Sequence, residues 1–179
     1  QIQPAIDKWA IKPNKLLGQH FLISEKFKQK IMAAADLSPK DTVLEVGAGG
    51  GTLTFEIAKL ASKVIAVEKD KHLCFLLETA VAERGAKNIM LINEDILKFN
   101  LKKNAQNLKN YKLIGNIPYY LTSRLLRKFL ADEKLKPQEI ILTVQKEVAE
   151  RITAVPPNMN LLALAVRAFG KPKIMEIVP

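Results

Sequence analysis

The residues best suited to chemistry in this chain stand together: Gly115, Asn116, Ile117, Pro118 and Tyr119. The Asn116 side-chain oxygen and the Ile117 or Pro118 carbonyl are the hydrogen-bond acceptors, and proline stiffens the loop that carries them. Tyr119 adds a flat face on which a base can stack. Acceptors fixed beside an aromatic face suit one demanding reaction. The exocyclic amine of adenine is a poor nucleophile because its lone pair is delocalised into the ring. Acceptors on its two N–H bonds favour the pyramidal, nucleophilic form. A transfer to that amine from an activated donor needs proximity and alignment more than a tuned general base. The plain alternative is a β-turn with a packed tyrosine.

Three further sites fall at intervals before this run. Glu45-Val46-Gly47-Ala48-Gly49-Gly50-Gly51 places glycines directly after an apolar run, where a backbone can approach a ligand and turn tightly into a helix. The dinucleotide fingerprint requires glycine at the sixth position counted from Gly47, and that position is Thr52, which weakens a nicotinamide reading. Glu68 follows about 20 positions beyond the first glycine, where a carboxylate can accept both hydroxyls of a ribose. Glu94-Asp95 follows the next apolar run, and Asp95 can accept the amino group of a bound adenine. Taken singly, each is equally a glycine-rich turn or a solvated carboxylate; in series they describe a nucleoside site.

These sites need a frame that brings them to one edge. Thr42 to Val46, Lys63 to Val67, Asn88 to Ile92, Lys112 to Gly115, Glu139 to Val144 and Lys173 to Val178 read as strands. Helices are expected over Ser24 to Asp36, Thr52 to Ala61, Asp70 to Arg84, Thr122 to Asp132, Glu147 to Ile152 and Asn160 to Phe169. Strand–helix alternation with β-branched strands predicts an α/β fold, a mostly parallel sheet with helices on both faces. Ligands of such sheets sit at the carboxyl ends of the strands, where all four sites fall.

The chain has 179 residues, enough for one domain, with 28 Lys and Arg against 18 Asp and Glu and a net charge of +10. That excess points to a polyanionic partner, most often nucleic acid. Lys102, Lys103, Lys109, Arg124, Arg127 and Lys128 are candidates to neutralise phosphates near the site, each also readable as part of a solvated face. The single cysteine, Cys74, excludes an intrachain disulfide and a Cys/His zinc pattern, so no metal is expected and a reducing cytoplasm fits. No apolar run reaches the roughly 18–20 residues of a membrane span.

Asn116 to Tyr119 is similar to the (D/N/S)-P-P-(Y/F) motif of amino-group methyltransferases, in the form used by ribosomal RNA adenine dimethyltransferases. Leu17 to Leu22 (LGQHFL) resembles that family's G-Q-N-F-L segment, with His20 in place of Asn. Val43 to Thr54 resembles its V-L-E-I-G-P-G-x-G-x-L-T, with Ala48 for Pro, and Gln145 to Arg151 its Q-x-E-V-A-x-R. Gly18 and the Gln145 to Arg151 segment look more like the KsgA-type branch, which dimethylates two adjacent adenines near the 3′ end of small-subunit rRNA, than the Erm type, which modifies large-subunit rRNA.

The resemblance implies a Rossmann-like class I fold, S-adenosylmethionine as cofactor, and the immature small ribosomal subunit as partner. His20 and Leu22 would line the methionine end, within a cofactor-covering segment over residues 1–23, and Gln19, Lys69 and Ile96 would also bind the cofactor. Gly47 and Gly49 would pack beneath the cofactor, Glu68 would bind the ribose and Asp95 the adenine amine. Asn116 would contact both cofactor and target amine, with Pro118 and Tyr119 beside the flipped base. Tyr120 and Leu121 depart from the commoner Asn-Ile; Tyr120, with Arg124, Arg127 and Lys128, is expected to contact RNA. The family continues beyond Pro179 with an aromatic residue, a last antiparallel strand and a small helical domain, so the chain is expected to be a catalytic domain without them, monomeric, binding cofactor but turning over weakly. The rival readings are an Erm-type enzyme, a non-catalytic RNA- or ribosome-binding protein on the same fold, and a nucleotide-dependent oxidoreductase.

Overall fold

The computed structural model describes residues 25–105, 108 and 110–177, and of Tyr119 the backbone alone. Gln19, His20, Leu22, Ser24 and Lys109 therefore lie outside the described residues, as do Val178 and the side chain of Tyr119.

Five parallel strands form one sheet in the order β3-β2-β1-β4-β5. They are β1 Thr42–Val46, β2 Lys63–Glu68, β3 Ile89–Asn93, β4 Lys112–Asn116 and β5 Glu139–Thr143. The helices are α1 Glu25–Ala35, α2 Thr54–Leu60, α3 Lys71–Arg84, α4 Leu101–Asn104, α5 Thr122–Arg127, α6 Lys146–Thr153 and α7 Leu161–Arg167. Central strands β1, β2 and β4 are buried on both faces, as their continuous Val/Ile/Leu runs require. One face packs Leu44, Val46, Ile65, Val67 and Leu113 against Phe99, Tyr111, Leu125 and Phe129. The other packs Val43, Val64, Ala66 and Ile114 against Ile31, Phe55, Ile57 and Leu77. Strand order reverses beside β1: β2 lies on one side and β4 on the other, opening a crevice at their carboxyl ends.

Local signals fix the element ends. Asp70 Oδ1 accepts the backbone N–H of His72 at 2.9 Å and of Leu73 at 3.3 Å, starting α3, and Gly85 in the left-handed region ends it. Asn160 caps α7 through Ala163 N–H at 3.0 Å. The helix expected over Thr122 to Asp132 is α5 continued by a π-turn over Lys128–Asp132. Helix α4 was not foreseen; its signal was Asn100, whose side chain accepts Lys103 N–H at 3.0 Å.

The expected sixth strand, Lys173 to Val178, is a correction: residues 173–177 carry no strand. A strand needs a hydrogen-bonded neighbour. Ile174, Met175 and Ile177 line one cleft together with Ile140 and Leu142 of β5, and an ion pair joins Glu176 to Lys30 of α1. The alternation of apolar residues was real; residues 173–177 nevertheless form no ladder with the edge strand β5.

Candidate active site

The cavity at the carboxyl ends of β1, β2, β3 and β4 is lined by residues from each of the four sequence sites. Gly47, Gly49, Glu68, Lys69, Asp95, Ile96, Asn116, Pro118, Tyr120 and Arg124 all reach it. Arg127 does not line it; the side chain is 80% exposed, with Nε 3.7 Å from Asp132 Oδ2.

The loop after β1 forms the floor. Gly47, Gly49 and Gly51 all have positive φ. Gly49 turns its backbone N–H to Glu68 Oε2 at 2.7 Å, so the loop is tied to the end of β2. At Gly51, with φ +87°, a Cβ would stand 2.5 Å from Leu77 Cδ1 and 2.9 Å from Phe55 Cε2. No side chain fits there, which is why the loop can fold tightly against α2 and α3.

Glu68 is 7% exposed, and its Oε1 accepts the N–H of Asp70 at 2.7 Å. Both oxygens are thus held by backbone donors and retain lone pairs toward the cavity. Burial pushes this carboxyl above its ordinary pKa, the N–H groups of Asp70, Gly49 and Lys69 pull it down, and the Asp70 charge adds to the rise. Asp95 behaves oppositely. Burial raises it, but hydrogen bonds from Lys69 and from Leu97 N–H outweigh that and hold it below the usual range. Its Oδ1 accepts Leu97 N–H at 3.0 Å and its Oδ2 lies 2.9 Å from Lys69 Nζ.

Asn116 ends β4, paired with Thr143 of β5 and beside Gly47, whose absent Cβ would face the Asn116 carbonyl at 3.7 Å. Ile117 N–H donates to Thr143 O at 3.4 Å, and Leu121 N–H to Pro118 O at 3.0 Å, closing a 3₁₀ turn over Tyr119–Leu121. The Pro118 carbonyl therefore already has one donor, while Asn116 and Ile117 both line the cavity beside it.

Two residues stand differently from expectation. Lys128, foreseen at phosphate, has a side chain only 15% exposed; Nζ donates to Phe99 O at 2.7 Å and Leu97 O at 3.4 Å and lies 3.2 Å from Glu133. It holds the π-turn onto the loop before α4 and is spent on the fold. Glu45, given no role from sequence, is 2% exposed, faces the cavity floor, and has an Oε2 with no hydrogen-bond partner. Burial pushes its carboxyl up to about 8; the Thr54 hydroxyl opposes the rise and Glu68 adds to it. Its signal was a carboxylate inside the apolar run TVLEV.

A family model described as "Ribosomal RNA adenine dimethylase" matches residues 10–179. The chain belongs to that family. Two proteins called ribosomal RNA small subunit methyltransferase A are similar to it. One, from Dehalococcoides mccartyi, is 46% identical over the whole chain and 60% of its own length. The other, from Alkaliphilus oremlandii, is 38% identical over 97% of the chain and 61% of its own length. The chain thus spans about 60% of the length of these relatives. Among solved structures, a dimethyladenosine transferase from Plasmodium falciparum superposes with a TM-score of 0.72 at 30% identity, covering 83% of this chain and 52% of that one. The 23S rRNA methyltransferase ErmE gives 0.64 at 30% identity, covering 75% and 51%. The fold is the Rossmann-like methyltransferase fold expected from sequence. No described helix is long and apolar enough to cross a membrane, and no described cluster of His, Cys, Asp or Glu is arranged to hold a metal ion.

Proposed function

We propose that the chain is the catalytic part of an enzyme that methylates the N6 amine of two adjacent adenines near the 3′ end of small-subunit rRNA, with S-adenosylmethionine as donor. The observation that carries this reading is the meeting of Asn116 and the Ile117 carbonyl with the glycine floor, Glu68 and Asp95 on one cavity. The small-subunit names of the curated relatives favour that target over the large-subunit rRNA named for ErmE.

The residues present fit a nucleoside bearing a methionine-like tail. Gly47 and Gly49 leave bare backbone, Glu68 offers two buried oxygens, Asp95 stands at one end, and the unpartnered Glu45 Oε2 lies in the floor. Bound there, S-adenosylmethionine supplies a methyl group already activated on a sulfonium. Glu68 would accept the ribose hydroxyls and Asp95 the adenine amine. The chain's work on the target is to aim the Asn116 side-chain oxygen and the Ile117 carbonyl at the two N–H bonds of the target amine. Pro118 fixes their direction, and the Tyr119 ring supplies a stacking face for the extruded base. Arg124 and Tyr120, at the cavity rim, would meet the RNA backbone. No general base is required, because the amine loses its proton to solvent after transfer.

Calorimetry with S-adenosylmethionine, S-adenosylhomocysteine and NAD tests the cofactor assignment. Binding of the first two, weakened about tenfold or more in Glu68→Ala through the loss of charged acceptors, is expected. Binding of NAD as tight as that of S-adenosylhomocysteine would overturn the assignment in favour of the oxidoreductase.

A further inference from the structure

The adenine end of the cavity is already occupied by one of the protein's own cations. Both oxygens of Asp95 are engaged, Oδ1 by the backbone N–H of Leu97 and Oδ2 by the Lys69 amine at 2.9 Å. Lys69 directly follows Glu68, so its side chain crosses from the end of β2 to the loop after β3. A ligand amine seeking Asp95 must therefore share the carboxylate with Lys69 or replace it. Lys69 is 61% exposed and Asp95 24%, so the amine can swing into solvent while the carboxylate stays where it is. Lys69, Tyr120 and Arg124 all line the cavity. While Lys69 is paired with Asp95 its charge is neutralised; once released, it adds a second cation beside Arg124.

We propose that Lys69 is a latch: a nucleoside amine displaces it from Asp95, and the freed Lys69 joins Arg124 as a phosphate-binding pair for RNA at the mouth of the cavity. The proposal rests on the nucleoside-cofactor reading given above. It makes Lys69 an RNA contact that is released by the cofactor, and not a cofactor ligand. Linkage then works both ways: cofactor binding tightens RNA binding, and RNA tightens cofactor binding by the same factor.

The test uses the 179-residue chain, S-adenosylhomocysteine as the nucleoside probe, and a short single-stranded RNA with two adjacent adenines. RNA affinity is measured by fluorescence anisotropy across a salt series, with and without saturating probe, for wild type, Lys69→Met and Lys69→Arg. In wild type the probe is expected to tighten RNA binding about fivefold or more and to steepen the salt dependence by about one phosphate contact. In Lys69→Met the probe binds several-fold more tightly by calorimetry, since its competitor is gone, and neither RNA affinity nor salt slope responds to it. Lys69→Arg restores the response. If wild type binds the probe but RNA binding ignores it, or if Lys69→Met keeps the full response, the latch is refuted while the cofactor reading survives. If wild type does not bind the probe at all, the cofactor reading fails and the latch with it.

Discussion

Replacing Glu45 with Gln should change how the stability of this domain depends on pH. Glu45 is 2% exposed between the strands of the sheet centre and the glycine loop, and its carboxyl is pushed up to about 8. Below pH 4.5, its ordinary value, folded and unfolded chains both hold the proton and the group contributes nothing. Between 4.5 and about 8 only the unfolded chain releases it, so stability falls as pH rises. Above about 8 both states are ionised and the cost of the buried charge stays constant. At about 1.4 kcal/mol per pH unit, that interval corresponds to about 5 kcal/mol. This is a large share of the roughly 5–15 kcal/mol that holds a domain folded. Asp41 and Asp95 act in the opposite sense. In each, burial raises the carboxyl but is outweighed, by the Ser38 hydrogen bonds and Lys112 for Asp41 and by Lys69 and Leu97 for Asp95. Their contribution is lost only on acidification below about pH 4. Glu45→Gln keeps the shape and removes the titration, so any difference in amide hydrogen bonding is a constant offset. Urea unfolding of both proteins at intervals from pH 5 to 9 should show the variant gaining on wild type by several kcal/mol as pH rises. Parallel curves across that range would refute the placement of Glu45 as a buried carboxyl with one unpartnered oxygen.

Gly51→Ala combines a positive φ with a clash against Leu77 and Phe55, and should cost about 2–4 kcal/mol in chemical denaturation. An unchanged denaturation midpoint would contradict the packing described for the glycine loop. Lys128→Met strands the Phe99 carbonyl and the largely buried Glu133, and should destabilise by about 2–4 kcal/mol. Its RNA affinity, measured where the variant is folded, should keep the wild-type salt slope, whereas Arg124→Ala should lower that slope by roughly one contact. A lowered slope for Lys128→Met would return it to the RNA surface.

The frame was legible because strands buried on both faces leave long β-branched runs, and TVLEV and KVIAV can be little else. The cavity was legible for a topological reason. In a parallel sheet the loops after successive strands share one edge, so Gly47, Glu68, Asp95 and Asn116 had to meet once the strands were recognised. Side-chain commitments were not legible. Lys128 looked like its neighbours Arg124 and Arg127, yet it turns inward because the Phe99 and Leu97 carbonyls need a donor from another element. Lys69 and Asp95 are 26 positions apart, and only the pairing of β2 with β3 in register brings their charges together. The segment 173–177 failed as a strand for a similar reason: alternation marks a chain able to pair, while pairing depends on which edge lies beside it.

The central claim is that the cavity at Asn116 delivers a methyl group to adenine N6 in small-subunit RNA. Its most direct test is methyl transfer from labelled S-adenosylmethionine to immature small ribosomal subunits lacking dimethyladenosine, with the labelled nucleoside identified after digestion. Wild type and Asn116→Ala would run side by side, each also in a form extended to the length of the relatives. The expected result is N6,N6-dimethyladenosine made by wild type, faster in the extended form, and reduced at least a hundredfold by Asn116→Ala, the scale of losing one aimed group in a transition state. Label on another base or another atom, or undiminished transfer by Asn116→Ala, would contradict it.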